Sequence, residues 1–161
     1  MAGPQPGAGR PTEDPRIRAA GVLFHTSALL ERFLGAAIQR EAGISHSVFE
    51  VLLILADQPQ GTPVGALCER LVLTSGGATR LVDRMVEAEL VTRKPSPQDR
   101  RVQLVLLTGR GEETLRLAAA AHTAELDRLL GAALEPAEAA AMTRALDRLG
   151  QRLRTELPPL R

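Results

Sequence analysis

The sequence predicts a mainly α fold with a small β wing, in which long terminal helices flank a compact helix-turn-helix and hairpin. Three observations predict it. Apolar residues recur at helical spacing over most of the 161 residues. Residues 90 to 107 break that pattern with two short runs around a Pro-bounded polar turn. Residues able to cap a helix (Ser45, Thr62, Thr74 or Ser75, Thr108) stand just before successive helical runs.

Residues 1 to 14 are rich in Gly, Pro and charge and are expected to form a flexible tail, leaving 15 to 161 as one domain. Residues 16 to 41 read as a first helix with an apolar stripe of Ile17, Ala20, Phe24, Ala28, Phe33, Leu34, Ala37 and Ile38, ended by Gly43. Ser45 caps a second helix to Leu55, with Val48, Phe49, Leu52 and Leu55 facing inward. After the break at Gln60-Gly61, Thr62 is the expected cap and Pro63 the first position of a short helix to Leu71.

Val72-Leu73-Thr74 then turns into a helix with two unlike faces. Ala78, Leu81, Val82 and Met85 form the apolar one, and Gly76, Thr79, Arg80, Asp83 and Arg84 the polar one. Leu90 to Lys94 enter a hairpin, Pro95 to Asp99 turn it, and Arg100 to Leu107 return. The winged unit thus spans about 45 to 108. Thr108 caps a long helix to about Leu130, and Pro136 opens a last one to about Leu157.

This order fits two neighbouring grooves of double-stranded DNA. In a helix-turn-helix the second helix enters the major groove, its N-terminal residues at the base edges. Unpaired N–H groups at that end, from Thr74 and Ser75 onward, favour phosphate oxygens, and Gly76 and Gly77 let the backbone approach. Thr79, Arg80 and Arg84 can reach bases or phosphates, and the hairpin adds Arg93, Lys94, Arg100 and Arg101. The net charge is only +1, but cations outnumber acids seven to five between Cys68 and Leu104, whereas acids outnumber cations by one elsewhere. A basic face on an otherwise neutral chain is the expected footprint.

The run TRLVDRMVEAELVTRKPSPQDRRVQLVLLTGRG resembles the signature of the MarR (multiple antibiotic resistance regulator) family of transcription factors. The matching pieces are Thr79 to Met85, Leu90 to Arg93, Pro95 to Arg101, and Leu107-Thr108 with Gly111. Glu89 departs from the pattern, standing where the family often has glycine, so another residue is expected to accept the chain reversal. The resemblance implies a homodimer on an inverted-repeat operator, acting as a repressor released by a small aromatic or phenolic effector. It makes Asp99 an orienter of a minor-groove arginine, Arg100 or Arg101. It also places an effector pocket where the first and second helices meet, near His25, His46 and Phe49.

The terminal helices support the dimer independently. Leu115, Leu117, Ala118, Ala121, Leu126, Leu129 and Leu130, then Ala139, Met142, Ala145, Leu149 and Leu153, are more apolar surface than a compact winged unit can cover. A single cysteine, Cys68, excludes an intrachain disulfide and fits a reducing cytoplasm. No leader-like apolar segment and no membrane-length apolar run is present. His25, His46 and His122 are too widely spaced to suggest a metal site, and no cofactor motif or catalytic constellation appears. A small helical enzyme is therefore the weakest alternative. A winged module that binds only protein is the other, and cations at both groove-facing positions argue against it.

Overall fold

The computed structural model describes residues 14–71 and 74–157. The expected tail, apart from Asp14, and the turn residues Val72 and Leu73 lie outside them. The described residues form nine elements: α1 (Pro15–Ala42), α2 (His46–Ala56), β1 (Thr62–Pro63), α3 (Val64–Leu71), α4 (Ser75–Glu87), β2 (Val91–Pro95), β3 (Gln103–Leu107), α5 (Gly109–Ala133) and α6 (Pro136–Glu156).

Local chemistry sets most boundaries. Asp14 caps α1 by accepting the Arg16 N–H at 2.8 Å, and Gly43 ends it in a left-handed turn at φ 70°. Ser45 caps α2, accepting the Val48 N–H at 3.3 Å. Thr108 caps α5, accepting from Gly111 at 3.0 Å. Glu135 and Glu138 cap α6 through a reciprocal box.

The core forms around α2, which buries Phe49, Val51, Leu52, Ile54 and Leu55. Ile38 from α1, Leu67 from α3, Leu81, Val82 and Met85 from α4, Val91 and Val105 from the sheet, and Ala118 from α5 pack against it. These residues hold the helix-turn-helix on one body. The expected inward face of α4, Ala78 to Met85, is the buried one.

Two expectations about the strands need correction. Thr62 and Pro63 do not open α3. They form β1, which pairs antiparallel with β3 (Thr62 opposite Val105) and gives a three-stranded sheet in the order β1-β3-β2. A threonine before a proline serves an edge strand as well as a helix start, and two residues carry no periodicity to separate the cases. The return strand also begins later than expected, at Gln103, so Arg100 and Arg101 sit in the turn.

The chain reversal after α4 falls on Glu89 itself, at φ 58°. The neighbouring segments hold it there. The Thr108 hydroxyl donates to the Glu89 carbonyl at 2.6 Å, and the Thr108 N–H donates to the Leu90 carbonyl at 3.2 Å. Gly111 packs so closely on the Leu90 carbonyl that a Cβ there would collide with it. Left-handed backbone costs a side-chain-bearing residue about 1–2 kcal/mol, while glycine gives back part of that through unfolded-state entropy. Glu89 also pairs with Arg110 at 3.1 Å, an exposed contact of small value. Glu89→Gly is therefore expected to raise the urea midpoint, by at most about 1 kcal/mol of stability. A lower midpoint would mean the Arg110 contact outweighs the strain.

At the outer ends the helices lack partners among the described residues. Only Leu34, Ala37 and Ile38 of α1 are buried, and Phe24 is 72 % exposed. No residue of α6 is buried, and α6 packs only sparsely on the rest of the chain. Where α1 and α5 do pack, the Arg128 guanidinium lies 5.2 Å from the centre of the Phe33 ring. No helix among the described residues is long and apolar enough to cross a membrane.

Candidate nucleic-acid interface

The N-terminus of α4 is built to stay open. Thr74 caps it by accepting the Gly77 N–H at 3.2 Å. A Cβ on Gly77 would stand 3.1 Å from that hydroxyl, so this glycine makes room for the cap. Gly76 instead lies on the exposed side, in the first turn that Ser75 begins. Thr79, Arg80 and Arg84 are exposed on the face opposite the core. Arg80 folds back along the helix, its Nε donating to the Gly76 carbonyl at 3.2 Å. That keeps its guanidinium near the helix start, where the dipole already favours anions.

The wing is a folded tip carried on β2 and β3. Ser96 is buried and donates to Gln98 Oε1 at 2.8 Å, while its backbone N–H reaches the Val102 carbonyl at 2.8 Å. Asp99 opens a tight turn closed by the Val102 N–H on its carbonyl at 2.9 Å, leaving Arg100 and Arg101 exposed at its centre. The Asp99 carboxylate accepts the backbone N–H of Arg101 at 2.9 Å. It thus holds the backbone that carries the arginine and pairs with neither guanidinium.

Helix and wing are tied to each other. Asp83 of α4 pairs with Arg93 of β2 at 2.7 Å. Arg93 is thereby engaged, whereas Lys94 next to it is exposed. The structure brings Arg80, Arg84, Arg100 and Arg101 to the exposed surface of adjoining elements.

Of the three residues expected at an effector pocket, His46 lines a cavity of about 410 Å³ between α1, α2 and the end of α3. Phe49 lies in the core, and His25 is exposed on α1 away from that wall. The other lining residues were missed, although Ser27, Leu30, Glu31 and Leu34 stand at i, i+3, i+4 and i+7 on one helix. Cys68 is buried, its thiol donating to the Val64 carbonyl at 3.2 Å. No cluster able to hold a metal ion occurs among the described residues.

His46, Phe49 and His122 form a ring cluster joining α2 to α5, with centroids 5.0 Å apart for Phe49 and His122 and 6.0 Å for the two histidines. Burial, and then the neighbouring His46, push the His122 pKa down. Its Nδ1 is buried without a partner among the described residues. Because the folded state binds this proton more weakly, the stability is present above the ordinary imidazole value of about 6.5 and is lost as pH falls below it. Melting scans from pH 7.5 to 5.5 should show a decline that His122→Phe flattens. An unchanged slope would exclude His122 as its source.

A core-anchored helix with an open N-terminus, beside a basic hairpin, defines a winged helix-turn-helix protein. The MarR family profile matches residues 42–102. The HTH-type transcriptional regulator MhqR of Bacillus subtilis is 34 % identical over 108 residues, covering 67 % of this chain and 73 % of that protein. The chain belongs to the MarR family of transcriptional regulators.

Solved structures agree on the fold. A MarR family regulator from Streptomyces coelicolor, crystallised in complex with DNA, superposes with TM-score 0.82 at 24 % identity, covering 97 % of each chain. CouR from Rhodococcus jostii, bound to p-coumaroyl-CoA, gives TM-score 0.75 at 20 % identity over 88 % of this chain and 95 % of that one.

Proposed function

We propose that this chain is a cytoplasmic, sequence-specific repressor that binds an inverted-repeat operator as a homodimer and is released by a small ligand. The observation that carries it is the pair of exposed cation groups, Arg80 and Arg84 on α4 and Arg100 and Arg101 at the wing tip, flanking an open helix N-terminus. A helix of this kind suits the major groove and a basic tip the minor groove alongside it. Thr74, Ser75, Gly76, Gly77 and Thr79 form the leading edge of the helix, and Lys94 extends the wing's basic surface. Arg93 serves through its pairing with Asp83 as the strut between the two. Homologous regulators crystallised with DNA and with an acyl-CoA ligand support a DNA-binding, ligand-responsive role over catalysis.

A salt titration on duplex DNA tests this. About 0.9 counterions are released per phosphate neutralised, so four to eight contacts in a dimer give a log–log slope of about −4 to −7. A flat profile would leave the winged unit as a protein-binding module.

A further inference from the structure

We propose that the cavity between α1, α2 and α3 binds a small organic cation, an amine or amidine carried on a planar ring. This names a ligand class for the ligand-responsive regulator proposed above and rests on that reading. The cavity is about 410 Å³, the scale of a small-molecule site. Leu30, Leu34 and Leu71 give it apolar wall, and Ser27, Ser47 and His46 add hydrogen-bonding groups. Its charge comes from two carboxylates on different helices, Glu31 of α1 and Glu50 of α2, and no lysine or arginine among the described residues lines it.

Among the described residues five other glutamates are neutralised at close range, whereas Glu31 and Glu50, like Glu69, Glu87 and Glu112, are not. Glu41, Glu89, Glu113, Glu125 and Glu156 each pair with an arginine at 2.6–3.1 Å. Among the described residues Glu31 and Glu50 have neither an ion pair nor a hydrogen bond, although Arg32 adjoins Glu31 in sequence. A recess of mixed polarity with two exposed, unpaired acids at its rim attracts a cation and repels a phenolate or carboxylate of the same shape. An amidinium also matches a carboxylate with two parallel N–H donors, as a guanidinium does.

The position gives an occupant access to the DNA-binding unit. Leu71 ends the first helix of the helix-turn-helix. His46 leads through Phe49 and His122 into α5. A molecule seated between them touches the flanking helix α1 and the winged unit at once.

Benzamidine and benzoate share a planar shape and carry opposite charges. Calorimetric titration of the full chain with each, without DNA, should show benzamidinium binding at least about tenfold more tightly than benzoate. E31Q/E50Q should lose that preference, with an unchanged melting temperature showing that the fold is intact. Equal or tighter benzoate binding, no binding of either probe, or an unchanged preference in E31Q/E50Q would overturn the proposal. Duplex binding measured in parallel keeps the two readings apart. A chain that prefers benzamidinium but ignores DNA refutes the regulator, and one that binds DNA without the preference refutes the cation site.

Discussion

Arg100→Ala together with Arg101→Ala is expected to lower operator affinity by about a hundredfold or more, with little change in which operator sequences are preferred. Both side chains are exposed at the centre of the wing turn, and a dimer presents them twice. Each charge-assisted hydrogen bond to the backbone or minor groove contributes about 1.5–3 kcal/mol, so the loss accumulates quickly. Arg80→Ala should behave differently, changing base preference at a cost of about 1–3 kcal/mol if it grips a guanine. Asp99→Ala separates geometry from charge. Removing an acid beside DNA should tighten binding on electrostatic grounds alone. Its carboxylate, however, fixes the Arg101 backbone at 2.9 Å, so loosening the turn should weaken binding. Affinity for an operator selected from random duplexes, at fixed salt, decides between the two. Tighter binding by Asp99→Ala would remove it from the interface.

Deleting residues 136 to 161 is expected to abolish the dimer. Met142, Leu146, Leu149 and Leu153 of α6, with Leu157 just beyond it, are 41–62 % exposed in the protomer, as are Ile17, Val22 and Leu29 of α1. Burying the remainder of such a side chain contributes on the order of 1 kcal/mol, doubled by symmetry, which exceeds the cost of association at micromolar concentration. Sedimentation should show the intact chain as a dimer and the shortened chain as monomer or aggregate. Leu149→Arg in the full chain gives a milder check, shifting the equilibrium toward monomer. An intact chain that sediments as a monomer at micromolar concentration would refute the arrangement.

What the sequence made legible follows from how far each interaction reaches along the chain. The caps Ser45, Thr74 and Thr108 act over three residues, and the buried face of α4 repeats every turn, so both could be read directly. Strand β1 could not, because Thr62 is a strand residue only through Val105, far along the chain. The turn at Glu89 is hidden for the same reason: the groups that hold it at φ 58° belong to Thr108 and Gly111, at the start of another helix. Among the site residues, the exposure of Arg80 and Arg84 followed from periodicity, while the contact of Asp99 with a backbone N–H had no separate sequence signal. Half of the cavity is a mixed stripe on α1 that the apolar pattern of that helix passes over, and its acidic character emerges only when Glu50 of α2 comes alongside.

The hydrogen bonds from Thr108 to the corner at Glu89 and Leu90, with Gly111 seated on that corner, bind the first turn of α5 to the α4–β2 junction. A helix of 25 residues is about 37 Å long, so tilting it by about 5° carries one end roughly 3 Å relative to the other. The stitched corner makes α5 a lever whose short arm is the recognition helix and wing together. The separation of the two recognition helices in a dimer must match a turn of DNA of about 34–36 Å. A few degrees at the distal end of α5 are then enough to spoil that match, without melting any element of the winged unit.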